Sequence, residues 1–149
     1  MKRKKILFVC TGNTCRSPMA EMLLRGKIKS RKIKWWDTAS CGVHAQRGAP
    51  VNENAIIVLT EHGIQVRQKF AARQLTQKLI DSSVLVVTMT ERHRQMLEDC
   101  GNVRCISEFC GCEVPDPYGG SVELYRRTRD VLDIACDNII KNYILKYEE

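Results

Sequence analysis

The sequence predicts an α/β fold: one doubly wound domain over residues 1–149, with a four-stranded parallel sheet flanked by helices. Two observations predict it. Short apolar runs typical of buried parallel strands alternate with segments whose apolar residues recur every three to four positions, as in helices. The chain also has a length typical of one domain and shows no internal repeat or low-complexity linker. Alternating strands and helices build a parallel sheet covered on both faces.

Four segments are expected to be strands. Residues 5–9 are expected to be a buried strand, because residues 6–9 form a continuous apolar run, and residues 35–39 form a weaker candidate. Residues 84–89 give the clearest second buried strand, and residues 103–106 give the fourth.

Five segments are expected to be helical. They are 18–29, opened by a proline that suits the first turn; the stretch after Pro50, ending near Gly63; 76–80; the segment from Thr90, an N-cap, to just before Gly101; and a long helix from Ser121. Expected inward-facing residues are Met19, Met22, Leu23 and Ile28 of the first helix, Ala55, Ile56, Val58 and Leu59 of the second, and Tyr125, Thr128, Leu132, Ala135 and Ile139 of the last.

The charge and apolar patterns limit the partners. The formal net charge is +7, but no aromatic or glycine-rich nucleic-acid motif accompanies the basic clusters. We therefore expect no nucleic acid, and a positive field that attracts acidic, phosphorylated substrates. No apolar run approaches the roughly 20 residues that span a bilayer, so no membrane partner is expected.

Localisation follows from the N-terminus and the cysteines. Residues 2–9 resemble the start of a signal peptide, but the apolar stretch is too short and no small-residue cleavage site follows. Eight cysteines could form a disulfide framework, which is typical of short secreted chains. A free thiol at the site described next favours a reducing compartment, so the chain is expected in the cytoplasm. It is also expected to be a monomer.

The segment from Cys10 to Pro18 carries the chemistry. Cys10 ends the first strand, and the small polar residues after it can curl into a ring of backbone N–H groups at a helix N-terminus, which binds a dianion. The same field favours a thiolate. Arg16 offers a planar fork of donors that fits two phosphate oxygens. The segment therefore predicts a phosphate-binding loop after the first strand, where ligands of such sheets bind.

A plainer interpretation is that Cys10 is a buried strand-end cysteine and Arg16 a surface charge on the first helical turn. For an isolated cysteine that interpretation would be preferred, because cysteine is among the most buried residue types. The ordered set of strand, Gly-Asn turn, arginine, serine and proline favours the phosphate site instead.

Three segments resemble the low-molecular-weight protein tyrosine phosphatases. Residues 9–21, VCTGNTCRSPMAE, are similar to the family signature, and residues 114–121, VPDPYGGS, to its bacterial general-acid loop. Residues 40–45 resemble its Ser-Ala-Gly segment, with Cys41 in place of alanine. Length and element order also fit, so the resemblance covers essentially the whole chain.

The resemblance implies a mechanism. Cys10 attacks phosphorus to form a phosphocysteine, while Arg16 and the amides of residues 11–16 hold the equatorial oxygens. Asp116, on an expected loop over 107–120, protonates the leaving group and then activates water. Outside this context Asp116 would be an ordinary turn aspartate. The expected substrate is a phosphorylated protein, bound by Thr11, Gly12, Asn13, Thr14, Cys15, Ser17 and Tyr118.

Supporting roles follow for four residues. Ser17 can donate a hydrogen bond to the Cys10 sulfur, and Asn13 tolerates the left-handed turn that the loop needs. By resemblance, Ser40 bonds Asn13. Cys15 either forms a reversible disulfide with Cys10, as the family implies, or is small apolar filler.

The resemblance also bears on the substrate. Thr14 stands where tyrosine-directed members generally carry a bulkier aliphatic residue, and threonine there resembles the protein-arginine phosphatase branch. Gln46 replaces a usual aromatic residue against which a phenol could stack. Gly119 replaces a frequent second aromatic residue beside Tyr118. These departures favour phosphoarginine and leave phosphotyrosine open.

Two other classes of function stay open. Arsenate reductases share this loop and fold, but they need two further cysteines in a mobile segment. The matching stretch of this chain holds Ser82 and Ser83, and no cysteine lies between Cys41 and Cys100, although the cluster from Cys105 to Cys112 keeps this class open. A non-catalytic phosphate-binding module is the third hypothesis.

No metal or organic cofactor is expected. The Cys110-Gly111-Cys112 spacing is not that of a typical zinc site, and the three histidines form no ligand pattern. Trp35 and Trp36 are expected to be packing residues.

Overall fold

The computed structural model describes residues 2–97 and 100–147 and contains one parallel sheet. Its four strands are β1 (Lys4–Cys10), β2 (Trp36–Gly42), β3 (Leu85–Thr88) and β4 (Val103–Cys105), in the order β2-β1-β3-β4. The α/β fold and the four strands are therefore confirmed. Met1, Glu98, Asp99, Glu148 and Glu149, which belong to the predicted domain, lie outside the described residues.

Helices cover both faces of this sheet. A π-helical segment, Ile140–Ile144, separates the last two of them. The α-helices are α1 (Arg16–Ser30), α2 (Glu53–Glu61), α3 (Gln77–Asp81), α4 (Glu91–Gln95), α5 (Ser107–Cys110), α6 (Val122–Ile139) and α7 (Leu145–Tyr147).

The strand order places the end of β1 at a topological switch point. The chain leaves β1 for β2 on one side and then crosses to β3 on the other, so the order in which strands are added reverses between β1 and β3. Open α/β sheets bind ligands outside the carboxyl ends of their strands at such a point. Cys10, the last residue of β1, lies there beside Gly42 of β2.

The sheet separates two cores. On one face, Ile6 and Phe8 pack with α1 and α6, and on the other Leu7 and Val9 pack with Ile80 and Leu97. The first nine residues of α1, 16–24, are all buried, so this helix shows little of the expected amphipathic pattern. The inward-facing residues predicted for α1 and α6 are buried as expected.

Several predicted details are wrong. The helix predicted from Thr90 ends its α-helical part at Gln95, although the Thr90 cap is confirmed by its bond to the His93 amide. The predicted loop 107–120 contains α5, because Phe109 packs into the core and Gly111 ends the helix in a left-handed conformation. Ile56, predicted to face inward, is exposed.

Pro18 is the third residue of α1 rather than its first. A proline is tolerated there because the first-turn N–H groups have no partner within the helix. Within residues 2–97 and 100–147, every helix is too short or too polar to cross a bilayer.

Candidate active site

A cavity of about 200 Å³ lies at the carboxyl end of β1. Arg16 and Asp116, a hundred positions apart in sequence, both border it. Its lining consists of Cys10, Thr11, Gly12, Thr14, Cys15, Arg16, Asp116 and Tyr118. The fold thus brings the three predicted catalytic residues into one cavity with most of the predicted substrate-binding residues.

Close approach of two backbones shapes the loop. The chain after β2 is bonded to it, since the amides of Val43 and His44 donate to the carbonyls of Cys10 and Thr11, each at 2.9 Å. A Cβ atom on Gly42 would lie 2.4 Å from the Thr11 carbonyl oxygen, so only glycine fits at that position. Asn13 adopts the predicted left-handed conformation, with φ of 58°, and is fully buried.

The Cys10 sulfur accepts hydrogen bonds from its own loop. The Asn13 backbone N–H donates to it at 3.3 Å. The Ser17 hydroxyl, which was predicted to be a donor, lies 2.8 Å from the sulfur. Both donors favour negative charge on sulfur. Cys10 is itself buried, so these contacts replace water around the sulfur.

The direction of these bonds is fixed by groups farther away. The carboxylate of Glu21, an acceptor only, lies 2.6 Å from the Ser40 hydroxyl, which must donate to it. The Ser40 oxygen therefore accepts from the side-chain amide of Asn13, at 2.9 Å. At the other end, the Arg73 backbone N–H donates to the Asn13 side-chain oxygen at 3.0 Å, which fixes the orientation of that amide.

The fixed orientation of the Asn13 side chain also limits where the Ser17 proton can point, and Ser17 lies beside Cys10. The second N–H of the Asn13 side chain donates to the Ser17 oxygen at 2.9 Å. The Ser17 proton is then left to point at the Cys10 sulfur or at the Cys41 carbonyl, 3.3 Å away. The predicted contact between Ser40 and Asn13 is present, and Glu21 is an additional member of the network that the sequence argument did not single out.

Two arginines neutralise the buried Glu21 carboxylate. Its side chain is 4% exposed and lies 3.0 Å from Arg25 and 3.4 Å from Arg67. These contacts offset the cost of burying a carboxylate.

Arg16 connects the loop to the distant Asp116 segment. Its buried guanidinium donates to the Val114 carbonyl at 3.0 Å and to the Thr11 hydroxyl at 3.3 Å. The same group lies 3.8 Å from the Asp116 carboxylate. This cation therefore faces both the loop and the proposed acid.

Asp116 and Tyr118 form the outer rim. The Asp116 carboxylate is half-exposed and accepts a hydrogen bond from the Tyr118 amide at 3.1 Å, which tightens the turn. The Tyr118 ring is 73% exposed beside the cavity, where it can meet a substrate side chain. Gln46, by contrast, is exposed and does not line the cavity.

His93 is a neighbour that the sequence argument missed. Its Nε2 atom lies 3.0 Å from the Thr11 hydroxyl, and its buried Nδ1 atom has no hydrogen-bond partner among the described residues. Burial lowers the pKa of His93 to about 4, and the positive charge of Arg16 adds to the shift. The position of His93 just after the third strand was the available signal, because all four strands end at the same edge.

Two further thiols lie near Cys10. Cys15 is buried and contacts the Tyr125 hydroxyl at 3.3 Å, and burial raises its pKa. Burial also raises the pKa of Cys41 to about 12. Both therefore remain protonated near neutral pH.

The two neighbouring tryptophans, Trp35 and Trp36, differ in their burial. Trp36 packs edge-on against Tyr143 and Tyr147 as predicted, but Trp35 is 47% exposed, which contradicts a packing role. Across the part of the chain that the structure describes, no three histidine, cysteine or acidic side chains are grouped to hold a metal ion.

Known proteins resemble this chain over nearly its full length. A family model described as low molecular weight phosphotyrosine protein phosphatase matches residues 5–148. A protein-arginine-phosphatase of Geobacillus stearothermophilus is 36% identical over 143 residues, which cover 91% of this chain and 93% of the relative. The low molecular weight protein-tyrosine-phosphatase PtpB of Staphylococcus haemolyticus is 36% identical over 134 residues, covering 86% and 91%.

A solved structure of a similar protein has the same fold. The low molecular weight protein tyrosine phosphatase from T. tengcongensis superposes with a TM-score of 0.86 at 36% identity, covering 93% of this chain and 98% of that one. These similarities confirm the resemblance of the three segments and extend it to the whole fold.

Replacing Glu21 tests the hydrogen-bond network. A glutamine amide is neutral, so Glu21→Gln loses the charge-assisted bond from the Ser40 hydroxyl and the ion pairs with two arginines. Ser40 then holds the Asn13 side chain less firmly beside Ser17, and the Ser17 bond to sulfur weakens. We expect iodoacetate to alkylate Cys10 at pH 6 about tenfold more slowly, the effect of losing one charge-assisted hydrogen bond. Peptide mass spectrometry measures the rate at Cys10 alone.

Two variants control this experiment. Glu123→Gln removes an exposed carboxylate and should leave the rate unchanged. Ser17→Ala removes the donor itself and should slow alkylation at least as much as Glu21→Gln. Slow alkylation of Cys10 in Ser17→Ala, together with a wild-type rate in Glu21→Gln, would show that the carboxylate does not support the Ser17 bond to sulfur.

His93 gives a pH-dependent stability. Its folded-state pKa of about 4 lies below the ordinary value of 6.5, so the unfolded chain binds more protons between these values. Stability present above pH 6.5 is therefore lost as pH falls towards 4, by on the order of 2 kcal/mol. His93→Gln cannot titrate, so its free energy of unfolding in urea should fall less over that range. The exposed His44→Gln should follow the wild type, and parallel curves for His93→Gln and the wild type would contradict the assignment.

Proposed function

Because this chain belongs to the low molecular weight phosphotyrosine protein phosphatase family and is a protein phosphatase, we propose that it dephosphorylates phosphoarginine in proteins, with Cys10 as its nucleophile. The observation that carries the mechanism is the sulfur of Cys10, held 2.8 Å from the Ser17 hydroxyl in the cavity that Arg16 and Asp116 also line.

The first step forms a phosphocysteine. The Cys10 thiolate attacks phosphorus in line, so an S–P bond forms while the bond from phosphorus to the substrate nitrogen or oxygen breaks. The backbone amides of residues 11–16 and the Arg16 guanidinium hold the three equatorial oxygens, where charge accumulates. The leaving group takes a proton from Asp116, whose carboxylate stands at the cavity rim.

The second step releases phosphate. Asp116, now ionised, removes a proton from a water molecule that attacks phosphorus from the side the leaving group vacated. The S–P bond breaks and the Cys10 thiolate departs, stabilised by the Ser17 hydroxyl and the Asn13 amide. Inorganic phosphate then leaves, and Asp116 is protonated again.

Phosphoarginine is supported by the wall of the cavity. Thr14 lines it with a short polar side chain, which suits a planar guanidino group better than an aliphatic wall would. A relative of similar length and identity is named a protein-arginine-phosphatase. Phosphotyrosine is the second candidate, favoured by the exposed Tyr118 ring, on which a phenol can pack.

We also propose that the chain works as one domain and as a monomer in the cytoplasm. All eight cysteines are free thiols, and Cys10 must remain reduced to act. A reducing compartment meets that requirement.

Asp116→Asn tests the proton donor. An amide cannot protonate the leaving group, so turnover of a phosphate ester with a poor leaving group should fall by about 10²–10⁴-fold. An ester with a good leaving group needs little protonation, so formation of its phosphocysteine should change much less, as burst-phase kinetics would measure. Equal losses in that step for both esters would contradict the acid role, and Glu113→Gln serves as the matched control.

Substrate preference is tested by comparing phosphate release from phosphoarginine and phosphotyrosine peptides of one sequence. We expect a higher kcat/KM for phosphoarginine, and no release from either peptide with Cys10→Ser. Thr14→Ile should shift the ratio towards phosphotyrosine by about tenfold, equivalent to about 1.4 kcal/mol. Thr14→Val keeps the shape of threonine without its hydroxyl, so it separates polarity from size. A wild-type preference for phosphotyrosine would overturn the arginine assignment and leave the phosphatase mechanism intact.

A further inference from the structure

A second, larger cavity lies at the opposite end of the sheet. Its volume is about 710 Å³, and its walls are the end of α1, residues 32–35 and the start of β2. Seven residues of β1, at about 3.3 Å each, separate this end of the sheet from Cys10, a distance of about 20 Å. The cavity is therefore separate from the phosphate loop and plays no part in the mechanism above.

The walls of this cavity are strongly basic. Five cations line it, together with a single carboxylate, Asp37. Arg25 lies 3.5 Å from that carboxylate and donates to the Thr38 carbonyl at 2.6 Å, so its charge is held in place. The other cations are Arg3, Lys29, Lys32 and Lys34, and none of these four pairs with a carboxylate in the described part of the chain.

The lysines have a partial explanation in the fold. Lys29 lies in the last turn of α1, where a cation is favourable to the helix dipole. That argument does not reach Lys34 or Arg3, which lie outside the helix. A cavity with several uncompensated cations attracts an anion.

Trp35 gives the cavity an aromatic wall at a cost to folding. It has φ of +72°, a left-handed conformation that is unfavourable for a bulky L-residue. The indole is 47% exposed, so packing does not repay that strain in full. A backbone contact, from the Lys4 amide to the Trp35 carbonyl at 2.8 Å, would be available to any residue. Folding alone therefore does not account for tryptophan at this position.

Lys32 repeats the pattern three positions earlier. Its φ is +56°, just beyond α1, at a position where glycine or asparagine is preferred. The Ile33 amide closes the helix end by donating to the Ile28 carbonyl at 3.0 Å, a bond that needs the backbone turn but no lysine side chain. Two side chains that the turn disfavours thus both line the same cavity.

We propose that this cavity is a second ligand site and binds a nucleoside phosphate, with the base stacked on Trp35 and the phosphates bound by the lysines. The volume lies within the range of small-molecule sites. Base–indole stacking and phosphate–lysine pairing need both features of the wall together. A flat acidic peptide would use the charges but would leave the exposed indole without a stacking partner.

The experiment is titration with ADP, followed by the fluorescence of Trp35 and Trp36, which both line the cavity, and by equilibrium dialysis. It uses the full chain carrying Arg16→Ala, which weakens anion binding at the phosphate loop, so the result does not depend on phosphatase activity. We expect saturable quenching and one bound ADP per chain. Adenosine and inorganic phosphate should each bind at least tenfold more weakly than ADP.

Variants locate the site. Trp35→Asn suits the left-handed backbone, so it should fold with undiminished stability yet bind ADP about tenfold more weakly by dialysis. Lys32→Asn should weaken binding as well. Lys78→Gln, which removes an exposed charge away from the cavity, should not.

Three outcomes would overturn the proposal. ADP binding that disappears with Arg16→Ala would assign it to the phosphate loop. Inorganic phosphate that binds as tightly as ADP would show that the indole contributes nothing. Equal losses with Lys32→Asn and Lys78→Gln would indicate attraction by net charge alone.

Discussion

The structure of the site depends on one buried chain of hydrogen bonds beneath Cys10. It begins at the Glu21 carboxylate, which accepts from Ser40, and it ends at the Arg73 backbone N–H, which can only donate. Between these ends, Ser40 and Asn13 have no freedom of direction, so the Ser17 proton is left for the Cys10 sulfur, at 2.8 Å, or for the more distant Cys41 carbonyl, at 3.3 Å. A strongly polar network of this kind is stable only when every member is satisfied. The fold meets that condition by closing β2 against the loop.

Helix α1 joins the two ends of the molecule. It opens with Arg16 at the phosphate loop, carries Glu21 under the sheet edge, and places Arg25 in the wall of the larger cavity. Arg25 bonds Glu21 one turn away, so one ion pair belongs both to the network below Cys10 and to the basic wall. Because the first half of the helix is buried on nearly all sides, its position relative to the sheet is fixed by packing.

Some parts of this arrangement are accessible from the sequence. The segment from Cys10 to Ser17 is local, so the order of its residues was enough to predict a phosphate loop, a left-handed Asn13 and a donor for the sulfur. The presence of α5 was not predicted, because it depends on how Phe109 packs in the core, and α4 is shorter than predicted. Local propensity is a weak guide to short helices that tertiary contacts stabilise.

The sequence by itself determined the fold class, the four strands, the family resemblance and the cavity residues drawn from the loop and from the 114–121 segment. Those features follow from local periodicity and from motifs in which neighbours along the chain act together. Only the tertiary structure decided that Glu21 directs the network, that His93 contacts Thr11, that Gln46 lies outside the cavity, and that Trp35 is exposed on a basic wall. Each of these depends on side chains from different elements meeting in space, and spacing along the sequence does not encode such a distance.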